Sequence, residues 1–207
     1  MKHLYLAAVA LLVLGVSLSA AEESVVFEER FDKTLGDGWT WLRENPETWR
    51  IADGALEIRV EPGLAGTVRN ALLREAPDRS KGTFAIEVTI TFTTPPTKQF
   101  EQAGLTWYKG GKPAFKLVHE LIKGETYIIP GKVATSTKTV QLRLTVTKDR
   151  YTAAFRPDAK GEFQTAATGA LPPADKEQIS IQCYNGPPDA EHWIRFDDFR
   201  ILRLPES

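Results

Sequence analysis

Hydrophobic and polar residues alternate along much of this chain. In the segment FAIEVTITF, residues 84–92, one face of an extended chain would carry Phe84, Ile86, Val88, Ile90 and Phe92. The other face would carry Ala85, Glu87, Thr89 and Thr91. Successive side chains of a β-strand point to opposite faces, so this period of two predicts a half-buried strand.

The same alternation recurs in four later segments. VQLRLTV (140–146) and YTAAF (151–155) flank TKDR, which is a plausible hairpin turn, and ISIQCY (179–184) and WIRFDDFRIL (193–202) follow. No segment sustains an apolar period of 3.6 residues, so helical structure is expected only as short turns at Pro46–Trp49 or Pro173–Lys176. Short strands separated by turn residues predict an all-β, antiparallel sandwich or barrel.

The phase of each strand predicts where individual side chains point. Trp107 shares its face with Ala103 and Leu105, which predicts a core position, whereas Tyr108 should point outward. His119 falls on the inward phase, and we expect a hydrogen-bonded core histidine there.

The last strand breaks phase. Phe196 and Phe199 are three residues apart and cannot both point inward in a regular strand. One extra residue would restore the phase, so the sequence predicts a β-bulge at Asp197–Asp198.

The first 21 residues have the order of a secretory signal peptide. A basic residue, Lys2, precedes an apolar run from Leu4 to Val16, and small residues from Ser17 to Ala21 follow. The run is shorter than the roughly 20 residues of a membrane-spanning helix, which favours cleavage after Ala21. We therefore expect a secreted or periplasmic protein with no membrane span after cleavage. Residues 22–207 are expected to form a single domain, since no Ser-, Gly- or Pro-rich linker divides them.

Charge and cysteine content narrow the function classes. The formal net charge is −1, and no run of basic residues occurs, which argues against a nucleic-acid partner. The one cysteine, Cys183, cannot form an internal disulfide and lies in phase with Ile179 and Ile181. We expect a buried, unreactive thiol.

Several segments together resemble secreted concanavalin A-like domains of a family of unknown function. FEQAGLTWYKGGKPAFKLVHELIKGE (100–125) matches its acidic-Gln-Ala-Gly-Leu segment, a strand with Lys116 and Glu120 at Lys-x-x-x-Glu spacing, and a glycine turn at Gly124. RFDKTLGDGWTW, ETWRIADGALEI and LRLTVTKDRYTAAFRPD match other parts of its pattern.

The arrangement is also similar to the C-terminal β-sandwich of family-43 β-xylosidases. RFDDFRI resembles the closing strand of laminin-G-like and keto-disaccharide hydrolase-like sandwiches. The resemblance implies a two-sheet concanavalin A-like jelly roll with a concave face, and it places Trp39 and Trp49 in the core. The segment YIIPGKVATSTKTVQ departs from the family, since it lacks the usual Ser-Asp-Trp.

The paired carboxylates of a retaining glucanase are missing from the strand patterns. Such an enzyme needs two carboxylates about 5 Å apart, one as nucleophile and one as acid. Glu87 has no acidic partner two or four residues away, and Glu120 is adjacent to His119 on the opposite face. The sequence therefore favours binding over catalysis.

A saccharide site needs polar groups for hydroxyls and an aromatic ring for the apolar face of the sugar. The outward phase contains such residues. The candidate carbohydrate-binding residues are Glu87, Tyr108, Lys116, Glu120, Arg143 and Tyr184. The alternative is an ordinary solvated sheet surface with cross-strand charge pairs.

Three aspartates could serve a structural calcium ion. Sandwiches of the resembled kind often hold calcium where the first and last strands meet. Asp32 in RFDK and the predicted bulge at Asp197–Asp198 would lie close if those strands pair, and backbone carbonyls freed by the bulge could complete an oxygen ligand set. The alternative is that all three are solvated residues of edge strands.

The sequence thus predicts a secreted, non-catalytic carbohydrate-binding β-sandwich. Two other functions stay open. One is a glycoside-acting enzyme on the same fold, and the other is a periplasmic or surface domain that binds a protein.

Overall fold

The computed structural model describes residues 22–205, which form fifteen β-strands and one short 3-10 helix at Pro46–Thr48. The 3-10 helix occurs at the first of the two predicted helical turns, and the side chain of Asn45 caps it by accepting a hydrogen bond from the amide of Glu47. The predicted signal peptide, residues 1–21, lies outside the described residues.

The strands form two antiparallel sheets. The larger consists, in spatial order, of β13 (Gln164–Ala170), β12 (Arg150–Arg156), β11 (Thr139–Val146), β6 (Phe84–Phe92), β15 (Trp193–Arg203), β4 (Ala55–Arg59) and β3 (Trp49–Ala52), with β1 (Ser24–Glu29) also paired to β15. The smaller consists of β10 (Val133–Ala134), β9 (Glu125–Ile129), β8 (Lys112–Ile122), β7 (Gln102–Lys109), β14 (Glu177–Tyr184), β5 (Ala71–Glu75) and β2 (Thr40–Leu42). The predicted all-β, two-sheet antiparallel sandwich is confirmed.

The predicted bulge in β15 is present. Asp197 pairs with Thr89 of β6 and Arg200 pairs with Glu87, so β15 has one more residue than its partner over this stretch. Phe196 and Phe199 are consequently both fully buried in the core. The register shift lets two short strands share one edge of β15, with β4 beside its first half and β1 beside its second half.

The core lies between the sheets and contains the inward residues of the alternating strands. Trp107 is fully buried there, as its phase predicts. Trp39 and Trp49, expected in the core, are half-buried and pack against its margin, and Trp41 does the same. The ring centroids of Trp41 and Trp49 lie 4.7 Å apart, so these rings join the edge strands β2 and β3 of the two sheets.

A second apolar cluster lies on the outer face of the seven-stranded sheet. It contains Val68, Ala71, Leu73, Tyr108 and Tyr184. The segment 61–70 covers this part of the sheet, and the Arg43 guanidinium holds it by donating to the carbonyls of Val68 and Gly66. Tyr108 points outward, as its phase predicts, but the segment above it leaves it only 1% exposed.

His119 is buried, as predicted, but its expected hydrogen bond is not formed. Neither ring nitrogen has a hydrogen-bond partner among residues 22–205. The ring makes an edge contact with Phe92, with 4.9 Å between centroids. Burial disfavours the charged form and lowers the pKa of His119 to about 4.

Cys183 is buried beneath β4, and burial raises the pKa of its thiol. The expectation of an unreactive thiol agrees with this environment, because the thiolate is the reactive form.

Over residues 22–205 we find no helix whose length and apolar character would allow it to cross a membrane.

Phe199→Ala should lower the free energy of unfolding by about 3–5 kcal/mol, because it leaves a cavity beside Phe27 and Trp39, whose rings make edge contacts with Phe199. Phe199→Leu, which keeps most of the volume, is the control and should cost clearly less. Urea unfolding curves of both variants measure the difference. Equal losses would show that the bulge does not hold this ring in the core.

Stability should fall in mild acid because of His119. Its folded pKa of about 4 lies below the ordinary value of 6.5, so the unfolded chain binds more protons between these values. The contribution of the neutral His119 ring to the free energy of unfolding is fully present above pH 6.5 and is lost as the pH falls towards 4. Between pH 7 and pH 5 the loss should be about 2 kcal/mol. His119→Phe should remove this part of the pH dependence, measured as the difference between wild-type and variant unfolding curves. Parallel pH profiles would contradict it.

Candidate functional site

The structure divides the six candidate binding residues between two surfaces. Tyr108, Lys116, Glu120 and Tyr184 belong to the outer face of the seven-stranded sheet, in β7, β8 and β14. Glu87 and Arg143 lie on the outer face of the eight-stranded sheet, in β6 and β11. The six therefore do not form one site.

Glu87 and Arg143 are cross-strand neighbours that bind each other. Arg143 Nη1 lies 3.2 Å from Glu87 Oε1, and Arg143 also contacts the Glu23 carboxylate. Burial raises the pKa of Glu87, although the nearby guanidinium groups of Arg143 and Arg156 act against that rise. This pair agrees with the alternative of a cross-strand charge pair on a sheet surface.

Three of the other four candidates line a cleft of about 400 Å³, which we call the outer cleft. It lies between the segment 61–70 and the loops that precede β7 and follow β14. Its lining residues are Leu64, Ala65, Phe100, Gln102, Lys116, Glu120, Tyr184 and Asn185.

A polar triad forms one wall of the outer cleft. Lys116 Nζ donates to Gln102 Oε1 at 2.6 Å and to Glu120 Oε2 at 2.9 Å. Gln102 Nε2 lies 3.3 Å from Glu120 Oε1, which closes the triangle. Lys116 and Glu120 are four residues apart on β8, and Gln102 faces Glu120 across the strand pair, so the β-sheet register alone brings them together.

The two tyrosines have different surroundings. Tyr184 lines the outer cleft, and burial, with a smaller effect of the Glu120 carboxylate, raises its pKa. Tyr108 lies deeper and donates its hydroxyl hydrogen to Gln182 Oε1 at 3.0 Å. Tyr184 can therefore contact a ligand in the cleft directly, whereas Tyr108 supports the sheet face beneath it.

Two buried polar atoms on the same sheet face have no hydrogen-bond partner among residues 22–205. These are Thr106 Oγ1 and Gln182 Nε2. Thr106 is the cross-strand neighbour of Lys116, and Gln182 Oε1 already accepts bonds from Tyr108 and Ser180. Neither residue lines the outer cleft, so both atoms belong to the buried polar face beneath it.

The rim of the outer cleft is apolar and exposed. Phe100 is 49% exposed and Leu64 is 68% exposed, which is unusual for large apolar side chains in this protein. Phe100 and Asn185 have positive φ angles of 67° and 66°, a region that costs a non-glycine residue about 1 kcal/mol or more. Both residues hold this left-handed backbone conformation where they line the cleft.

The sequence reasoning missed Phe100, Leu64 and Gln102. The available signal was Phe100 and Gln102 on either side of Glu101 in FEQAGL, at the junction of a loop and a strand. Leu64 carried no such signal, because its place over the sheet depends on how the segment 61–70 folds back.

A buried pair supports this wall from behind. Glu101 is fully buried and accepts hydrogen bonds from the amides of Thr97 and Lys98. Its other oxygen lies 2.7 Å from Nδ1 of His192. The pair joins the loop before β7 to the loop before β15.

Of the three predicted calcium ligands, Asp197 and Asp198 are adjacent at the β15 bulge, and the Asp32 carboxylate is close enough to affect the pKa of Asp197. Burial raises the pKa of Asp197, and the carboxylates of Asp198 and Asp32 add to this effect. Asp198 Oδ1 lies 3.4 Å from Arg200 Nη2, and Asp197 Oδ2 lies 3.8 Å from Arg195 Nη2. No group of three or more His, Cys, Asp or Glu side chains that could hold a metal occurs in residues 22–205, so the side chains alone do not fit a calcium site.

Comparison with known proteins shows a similar fold in solved structures but does not show a family for this chain. No protein-family model matches the chain, and no curated protein matches it by sequence. Among solved structures, a mutant form of the GH43 protein BlXynB from Bacillus licheniformis has a TM-score of 0.71 at 17% identity and aligns with 86% of this chain. Xylan β-1,4-xylosidase from Bacillus halodurans has a TM-score of 0.63 at 15% identity over 84% of this chain.

The chain corresponds to only 39% and 38% of the lengths of these two proteins. A functionally unknown protein from Saccharomyces cerevisiae is similar over 98% of its own length and 82% of this chain, with a TM-score of 0.57 and 13% identity. The similarity to GH43 proteins that the sequence predicts is thus confirmed for the fold, and the concanavalin A-like assignment stays a prediction.

The Glu101–His192 pair should be essential to the wall of the outer cleft. Glu101→Gln replaces a charged acceptor with an amide, which should lower the free energy of unfolding by about 2 kcal/mol. Glu57→Gln, at a solvent-exposed ion pair with Arg50 on the other sheet, is the matched control and should change it by less than about 1 kcal/mol. Chemical denaturation measures both, and equal small effects would mean that the pair does not hold the two loops.

Proposed function

We propose that this protein is a non-catalytic carbohydrate-binding β-sandwich that holds a saccharide in the outer cleft. The observation that carries the proposal is the Lys116–Gln102–Glu120 triad beside the exposed ring of Phe100. Hydroxyl pairs of a sugar need acceptors and donors in fixed positions, and the triad supplies both. The flat apolar side of a pyranose needs an aromatic or aliphatic surface, which Phe100 and Leu64 offer.

The number of carboxylate side chains in the outer cleft supports saccharide binding rather than hydrolysis. Among the described residues that line the outer cleft, Glu120 is the only one with a carboxylate. Glycosidases of the usual kind need two, about 5–9.5 Å apart. Glu87, the other acid considered from the sequence, lies on the outer face of the opposite sheet and cannot serve as its partner.

The structural neighbours supply a carbohydrate context. Two of them are a GH43 protein and a xylosidase, and this chain is similar to only a part of each. A β-sandwich that accompanies a glycoside-acting domain in such proteins is consistent with a binding role, and it makes xylo-oligosaccharides the first ligands to try. A protein partner is the remaining alternative, for which the exposed side chains of Phe100 and Leu64 would be the contact points.

We also propose that the protein is exported from the cytoplasm. The basis of this proposal is the sequence of residues 1–21, and a saccharide-binding role outside the cytoplasm would agree with it.

Glu120→Gln and Phe100→Ala should each weaken saccharide binding at least tenfold, because one removes a charged acceptor and the other an apolar platform. Glu87→Gln is the matched control on the other sheet and should leave the affinity unchanged. Calorimetric titration with xylo-oligosaccharides and other neutral plant and bacterial glycans gives the affinities, and assays for released sugar test the enzymatic alternative.

Loss of binding in Glu87→Gln but not in Glu120→Gln would move the site to the eight-stranded sheet. Released sugar would replace the binding proposal with the enzymatic one. All variants are compared at equal folded fraction, checked by near-ultraviolet circular dichroism.

A structural calcium ion at Asp32, Asp197 and Asp198 also stays a prediction. Since the side chains do not complete a ligand set, backbone carbonyls at the bulge would have to contribute. Binding would raise the unfolding midpoint in millimolar calcium relative to EDTA, and Asp197→Asn would remove the difference. Equal midpoints for the wild-type protein in calcium and EDTA would contradict the prediction.

A further inference from the structure

A second and larger cleft opens between the two sheets. His119 and Leu121, which line it, flank Glu120 in β8 but point to the opposite face of the strand from the triad. The cleft has a volume of about 640 Å³, and we call it the inter-sheet cleft. Its lining comes from both sheets and from the loops at one end of the sandwich. The lining residues are Phe92, Pro95, Pro96, His119, Leu121, Gly124, Glu125, Thr126, Ala134, Thr135, Ser136, Thr137 and Lys138. A volume of 300–1,000 Å³ is typical of sites for small ligands.

The base of the inter-sheet cleft combines an apolar surface with one unsatisfied polar side chain. Phe92, His119 and Leu121 are buried there. His119 is 1% exposed, and both ring nitrogens lack a hydrogen-bond partner among residues 22–205. Leaving a buried donor or acceptor unpaired costs about 1–3 kcal/mol, so an imidazole in this position calls for a partner. His119 lines the adjoining cleft, and since both nitrogens are closed to solvent, a partner entering there reaches them when the ring turns.

The wall opposite the base is rich in hydroxyl groups. Thr126, Thr135, Ser136 and Thr137 lie close together where β9, β10 and the segment before β11 meet. Thr126 donates to the carbonyl of Thr135, and the hydroxyls of Thr135 and Thr137 are 3.1 Å apart. Such groups can exchange hydrogen bonds with the hydroxyls of a ligand without carrying charge.

Charge in this cleft is confined to its mouth. Glu125 and Lys138 are exposed residues of opposite sign, and the three base residues carry none, since His119 with its lowered pKa is neutral at pH 7. Burying a charged ligand against this base would require a counter-charge, which the base lacks. The part of a ligand that reaches His119 is therefore uncharged, with an apolar face against Phe92 and a hydroxyl that can both donate and accept.

We infer that the inter-sheet cleft is a separate binding site for a small neutral polyhydroxylated molecule of one or two sugar rings, whose hydroxyl groups pair with His119 and with the threonine and serine side chains of the wall. This site does not depend on the outer cleft. It would let the protein hold a short saccharide, or the end of a longer one, independently of the triad.

The test is a titration of the purified protein with methyl glycosides of neutral monosaccharides and with neutral disaccharides, followed by NMR of the histidine ring protons. The His119 signals are assigned from a His119→Phe spectrum. At least one of these sugars should shift them in a saturable manner. Ala134→Trp, which fills the exposed mouth without touching the core, should weaken that binding at least tenfold.

Two controls separate this site from the outer cleft and from general effects of a new tryptophan. Ala159→Trp, at an exposed position outside both clefts, and Ala65→Trp, which fills the outer cleft, should leave the shift of the His119 signals and its midpoint unchanged. If no sugar shifts these signals up to about 50 mM, a range that covers millimolar affinities, the inference is overturned. It is also overturned if Ala134→Trp binds normally, or if Ala65→Trp abolishes the shift. Failure of outer-cleft binding alone leaves this result unaffected.

Discussion

The candidate site depends on the hydrogen bonds that the buried carboxylate of Glu101 makes. Two backbone amides and the ring of His192 surround it, and its neighbours in the chain, Phe100 and Gln102, both line the outer cleft. An ionised carboxylate away from water is tolerated only when it is well paired. The loop before β7 and the loop before β15 are therefore held in one arrangement, and the left-handed backbone of Phe100 is held with them.

The second constraint is the way in which the seven-stranded sheet is covered. Strands β7 and β14 have apolar inward faces in the core and polar outward faces that are also buried, because the segment 61–70 lies over them. Most polar side chains on such a face bond to one another, as Tyr108, Ser180 and Gln182 do. The outer cleft is the place where this cover ends and the buried polar face meets solvent.

The two clefts differ in physical character. The outer cleft has a charged triad and an exposed aromatic rim, which suits the surface recognition of a chain of sugars. The inter-sheet cleft has a neutral base, a hydroxyl-bearing wall and charges only at its mouth. A protein with both would bind glycans at two points of one small sandwich, and linked sites raise overall avidity without any new contact.

Local sequence determined the properties that depend on the period of two. The alternation predicted the all-β class, the core position of Trp107, the direction of Tyr108 and the β15 bulge, since each follows from the geometry of a single strand. Tertiary structure decided which sheet each strand joins, and this separated Glu87 and Arg143 from Lys116 and Glu120. It also decided that the segment 61–70 buries Tyr108, that His119 has no hydrogen-bond partner within residues 22–205 and that Phe100 borders a cleft. Strand pairing and loop cover join residues far apart in the chain, so no local pattern can encode them.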